Sequence, residues 1–136
     1  MFDVRTDSLA ATINRIAADL GSQSALIDQH LRESSGWLID FDADRLFYGT
    51  KGRLYAYRLL LRELGRDFEP ILQQNNLHAV YGQALDTMRE AGTLRPFFVI
   101  DASPNGMLFT NHLAVQGFYL KRALVQLQEI AQVLVN

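Results

Sequence analysis

The chain has 136 residues, 49% of them apolar and 21% charged, and a formal net charge of −2. That composition belongs to a globular domain and excludes long disorder, collagen-like repeats and a strongly basic nucleic-acid tail. No cysteine occurs, which removes disulfides, thiol catalysis and Cys-ligated zinc.

A chain of this length is expected to form one domain over residues 1–136 with a core that needs no staples. No apolar run reaches the ~20 residues of a membrane helix; the densest, residues 54–64, is broken by Arg58 and Arg62. Met1, Phe2, Asp3, Val4 and Arg5 lack the basic-then-apolar order of a signal peptide. The sequence therefore reads as soluble and fits either cytoplasm or cell envelope. Its basic residues are 11 Arg against 2 Lys, a skew of the kind that codon bias produces.

In chain order, Leu9, Ile13, Ile16 and Leu20 recur at helical spacing and predict a helix over 7–20, capped by Asp7 and stopped by Gly21. A second short helix is expected over 24–33, ended by Ser34, Ser35 and Gly36. Residues 37–41 are apolar but too few to declare a period. A long helix should start at Asp42 or Asp44 and reach Leu64, with Phe47, Leu54, Tyr57, Leu61 and Leu64 on one broad face. Gly49 and Gly52 lie inside it at about 1 kcal/mol each relative to Ala, which predicts close approach of another backbone or a break near residue 50. Gly65 reads as a turn. Pro70 suits the first position of a short helix over 68–74. Leu77, Tyr81, Ala84, Leu85 and Met88 predict a helix over 77–91 that stops at Gly92.

The period then changes. Residues 97–100 are aromatic and β-branched, and Ser103, Pro104, Asn105 and Gly106 form a turn signature, since Pro presets φ and Gly tolerates its positive range. With Met107, Leu108 and Phe109 they predict a small β-hairpin that must lie against helices to persist. From Thr110 or Asn111 to Val135, Leu113, Gly117, Leu120, Leu124, Leu127, Ala131 and Leu134 alternate in steps of four and three. This is a seam of period 3.5, expected of the spine of the fold or of an assembly surface. The predicted fold is therefore all-α: a compact helical bundle of five to six helices with one small β-hairpin near residues 97–109.

Chemistry-bearing motifs are few. Asp40, Asp42 and Asp44 alternate like the start of a calcium loop, but Arg45 stands where Gly is needed and Lys51 where Glu is needed. Helix capping accounts for them better. His30, His78 and His112 have no ligand spacing, so no metal site is expected. Residues 49–52 imitate a phosphate loop without its strand or spacing, and no serine elbow or dinucleotide fingerprint occurs. No catalytic residue and no cofactor are implied. Two weaker groupings remain. The hairpin would gather Asp101, Asn111, His112, Tyr119 and Arg122 into a candidate binding pocket, where His112 beside a carboxylate could exchange protons; capping and packing explain the same residues. Lys51, Arg53, Arg58 and Arg62 would form a basic stripe able to meet phosphate, an anionic lipid headgroup or RNA, although Glu63, Asp67 and Glu69 can pair with it.

One resemblance covers roughly residues 44–135. Its first run is Phe47, Tyr48, Lys51, Gly52, then Leu59, Leu60, Arg62, then Asp67, Phe68, Ile71, Leu72. Its second is Pro96 with the apolar strand, then Asn111, His112, Tyr119, Arg122 and Ala123. In order and spacing they resemble the C-terminal half of an uncharacterised family of Gram-negative bacteria, a domain of unknown function. Members are usually longer and carry an N-terminal membrane helix, which this sequence lacks; residues 1–35 fall outside the match. The resemblance implies envelope association and no assigned enzyme activity.

The leading expectation from the sequence is a non-enzymatic structural or interaction module that self-associates through an apolar helix face or binds a protein partner. The alternatives are an enzyme or small-molecule binder at the hairpin, and an anionic-surface binder at the basic stripe; no strong nucleic-acid signal is present.

Overall fold

The computed structural model describes residues 4–33, 41–94 and 107–136, with the side chains of residue 41 and residues 107–111 left aside. Five helices occur among them: α1 (Val4–Glu33), α2 (Phe41–Asp67), α3 (Glu69–Gln74), α4 (His78–Thr93) and α5 (Met107–Val135). The neighbour order around the bundle is α1, α5, α4, α2, so α2 and α5 lie on a diagonal, and short α3 links α2 to α4.

The core is built from the predicted stripes. Leu9, Ile13, Ile16 and Leu20 of α1, Phe47, Leu54 and Leu61 of α2, Ala84, Met88 and Ala91 of α4, and Leu113, Leu120, Leu127 and Leu134 of α5 are all buried. The α5 seam therefore lies inside the fold, against α1, α4 and the diagonal α2. α5 thus occupies one corner of the bundle and packs its inner side into the shared core.

Four expectations are corrected. The helices over 7–20 and 24–33 are one: α1 runs through Gly21 because Leu20, Ser24 and Ile27 continue its buried stripe. That burial outweighs the roughly 1 kcal/mol a helical glycine costs. Gly65 is not a turn but part of the last stretch of α2; a Cβ there would lie 2.6 Å from the Tyr81 ring, so its smallness lets α4 press against α2. Gly49 and Gly52 neither break α2 nor admit a backbone, since nothing lies within 4 Å of a Cβ at either. Finally, the β-hairpin is not formed as expected. Met107, Leu108 and Phe109, its second arm, are the first turn of α5, and no strand occurs among the described residues. Three apolar residues suit a helix start as well as a strand, and here the helix behind them prevails. The first arm, residues 97–100, lies outside the described residues.

A polar layer crosses the apolar interior. Ser24, Thr50 and Gln116 are buried. Thr50 Oγ1 donates to Gln23 Oε1 at 3.4 Å, and Gln116 Nε2 donates to the Phe47 carbonyl at 3.1 Å. Gln116 Oε1 has no hydrogen-bond partner among the described residues. Beside this layer Gly117 lets α5 close on α1, since a Cβ there would stand 3.1 Å from Ile27 Cγ2.

Candidate interaction surface

The outer side of α5 follows from its composition. Its 29 residues contain three formally charged side chains, Lys121, Arg122 and Glu129. A helix so poor in charge is apolar around much of its circumference, yet the bundle covers only the inner part. Val115, Phe118, Val125 and Val133 remain exposed, Phe118 at 63% and Val125 at 64%. With Arg122 and Glu129 they advance in steps of three and four, so they share one face. That face spans about 27 Å from Val115 to Val133 at 1.5 Å per residue. Lys121 stands at its edge and pairs with Asp28 of α1 at 2.7 Å. Arg122 and Glu129 are exposed, and neither makes an ion pair among the described residues. Reading the period for its inward seam leaves this second face unremarked; the scarcity of charge in α5 was the signal for it.

Of the sequence-predicted pocket residues, His112, Tyr119 and Arg122 have described side chains, and they are spread along α5. Asp101 lies outside the described residues. Asn111 is on α5, with its side chain outside them. His112 and Tyr119 are half-buried; Tyr119 packs against the core and meets Phe118 edge-on at 5.6 Å. Arg122 sits in the middle of the outer α5 face. The hairpin meant to close this group is replaced over residues 107–109 by helix.

The basic stripe divides. Lys51, Arg58 and Arg62 recur at i, i+7 and i+11 and share the α4 side, where Lys51 Nζ donates to the Leu94 carbonyl at 3.3 Å. Arg58 is half-buried, and its Nε has no hydrogen-bond partner among the described residues. Arg62 pairs with Glu63 at 3.0 Å, which holds the Glu63 carboxyl below its ordinary range. Arg53 faces α1 instead and pairs with Asp19 at 2.7 Å. Tyr57 donates to the same Asp19 oxygen at 2.6 Å. The Tyr57 hydrogen bond, then Arg53, hold the Asp19 carboxyl down against partial desolvation; bonding to Asp19 raises the Tyr57 hydroxyl. These contacts tie α1 to α2 and leave no continuous stripe of four free cations.

Two grooves flank α2. One, of about 470 Å³, opens between α1 and α2, lined by Leu26, Gln29, His30, Glu33, Asp42, Arg45, Leu46 and Arg53 among others. Its charges are largely engaged: Gln29 donates to Glu33 at 2.9 Å, and Arg53 holds Asp19. The other, of about 190 Å³, lies where Gly65 and Gly82 adjoin Tyr81, with Arg62, Arg66 and His78 at its edge. Tyr81 donates to the Leu61 carbonyl, and burial raises its hydroxyl far above the ordinary tyrosine value. Among the described residues no three carboxylate or imidazole groups converge as a metal would require, and no helix is long and apolar enough to cross a membrane. No family model, curated protein or solved structure matches the chain.

Proposed function

We propose that this chain is a non-enzymatic interaction module that self-associates through the outer face of α5. The observation that carries this reading is the apolar row Val115, Phe118, Val125 and Val133, exposed on the helix whose opposite side forms the centre of the core. An extended apolar row on a folded surface marks a contact site more often than an idle one. Its support is rigid, because α5 is fixed on its inner side by α1 and α4, so docking needs little ordering of the backbone. The sequence seam at Leu113, Leu120, Leu127 and Leu134 cannot be the contact, because those residues are buried within one chain.

Light scattering across a micromolar concentration series tests the reading. The wild-type mass should rise above the 15.4 kDa of one chain, and Val125→Asp should hold it there with unchanged helix content. A wild-type mass fixed at one chain throughout would end it.

A further inference from the structure

Resting on that reading, we infer that two copies pair antiparallel through α5, about a two-fold axis passing close to Val125, with Arg122 of each copy set beside the partner's Glu129.

The charge pattern of the face selects this arrangement. The two charges lie seven residues apart on the same side of the helix, at unequal distances from Val125, three residues before it and four after. Turning one helix end for end about a point just beyond Val125 exchanges their places. Arg122 then meets the partner's Glu129, Glu129 meets the partner's Arg122, Phe118 meets the partner's Val133, and the two Val125 side chains lie on either side of the axis, about 1.5 Å apart along the helices. A parallel pair does the reverse: it stacks Arg122 on Arg122 and Glu129 on Glu129, two like-charge contacts at the centre of an apolar face. Neither charge has an ion-pair partner among the described residues, so each is available to the second copy. Lys121, the remaining charge of α5, is already engaged by Asp28 at 2.7 Å and does not disturb the match.

The arrangement also limits the assembly. The same patch serves both copies, so the contact closes on itself at two chains. The outer face of α2, where Tyr48, Tyr55 and Leu60 are exposed, lies on the opposite corner of the bundle. Contact between that face and α5 of a neighbour would propagate instead of closing.

Absence of native cysteine makes disulfide mapping direct. Val125→Cys should cross-link with itself under mild oxidation, whereas Val133→Cys alone should not. A mixture of Phe118→Cys and Val133→Cys chains should give the mixed disulfide. Arg122→Glu should weaken association roughly tenfold or more, and Arg122→Glu with Glu129→Arg should restore it. A dimer in which Val133→Cys cross-links with itself and the mixture of Phe118→Cys and Val133→Cys chains gives no mixed disulfide, or in which the double charge exchange fails to restore affinity, overturns the antiparallel pairing while leaving self-association intact. Growth beyond two chains at high concentration overturns it as well. A wild-type chain that never associates removes both this pairing and the reading beneath it.

Discussion

On the inner face of α5, Leu113, Leu120, Leu127 and Leu134 keep at most 6% exposure, while Val115, Phe118, Val125 and Val133 on its outer face keep between 39% and 64%. Both rows are apolar and both advance in steps of three and four. They differ in what lies opposite: α1, α4 and α2 cover one, and no described helix covers the other. Periodicity thus sorts residues onto faces, whereas the number of neighbouring helices decides which face is core. The inner row also carries a polar interruption at Gln116, and the outer row carries two opposite charges. In the first place polarity is enclosed; in the second it is free to choose a partner and an orientation.

The sharpest way to break this comparison is to truncate each row once. Leu120→Ala should lower monomer stability by about 2–5 kcal/mol, because a buried leucine leaves a cavity. Val125→Ala should change it by less than about 0.5 kcal/mol at concentrations too low for association. Urea denaturation of dilute protein measures both, and similar losses would mean that the outer row is covered within one chain.

A smaller effect is expected inside the inner row. Gln116→Met replaces a fully buried amide, whose Oε1 lacks a hydrogen-bond partner among the described residues, by an apolar chain of similar length. The Phe47 carbonyl keeps its place in the α2 helix, so the variant should gain about 1 kcal/mol. A loss of that size in thermal unfolding would instead assign Gln116 a positive role in setting the register of α5 against α2.

The smallest effect belongs to the exterior contacts. Asp19 titrates lower in the folded chain than in the unfolded one, so its contribution is present above the unfolded value and is lost as pH falls through the folded one. The pair is largely solvent-exposed, with 46% of the Arg53 and 35% of the Asp19 side chain open, which keeps its worth within about 1 kcal/mol. Asp19→Asn should therefore lower the urea midpoint slightly near neutral pH and lose its difference from wild type in acid. A difference that grows on acidification would contradict the sign.

Much of the bundle is legible in the sequence because an amphipathic stripe is a local property. Leu9, Ile13, Ile16 and Leu20, or Tyr81, Ala84 and Met88, announce their buried side without reference to any partner. Pro70 likewise marks the start of α3 through its fixed φ and its missing donor. Glycine is where such reading fails. Gly21 and Gly65 suggest ends and turns, but a helix continues through glycine when the residues beyond it remain on the buried stripe. The candidate pocket rested on a hairpin, and Met107, Leu108 and Phe109 carry no local feature that separates a strand from a first helical turn. Among its members with described side chains, Arg122 falls on the surface proposed to function.

By itself, then, the chain of residues determined that helices form, where most of them run and which side of each is apolar, since spacing and backbone preference act over a few residues. Tertiary structure alone decided that α5 has an apolar side left over, that Gly65 and Gly117 mark close approach, and that the basic residues of α2 divide between two neighbours. These depend on how many helices surround a given one and at what distance, a balance of packing across the whole bundle that no short window of sequence contains.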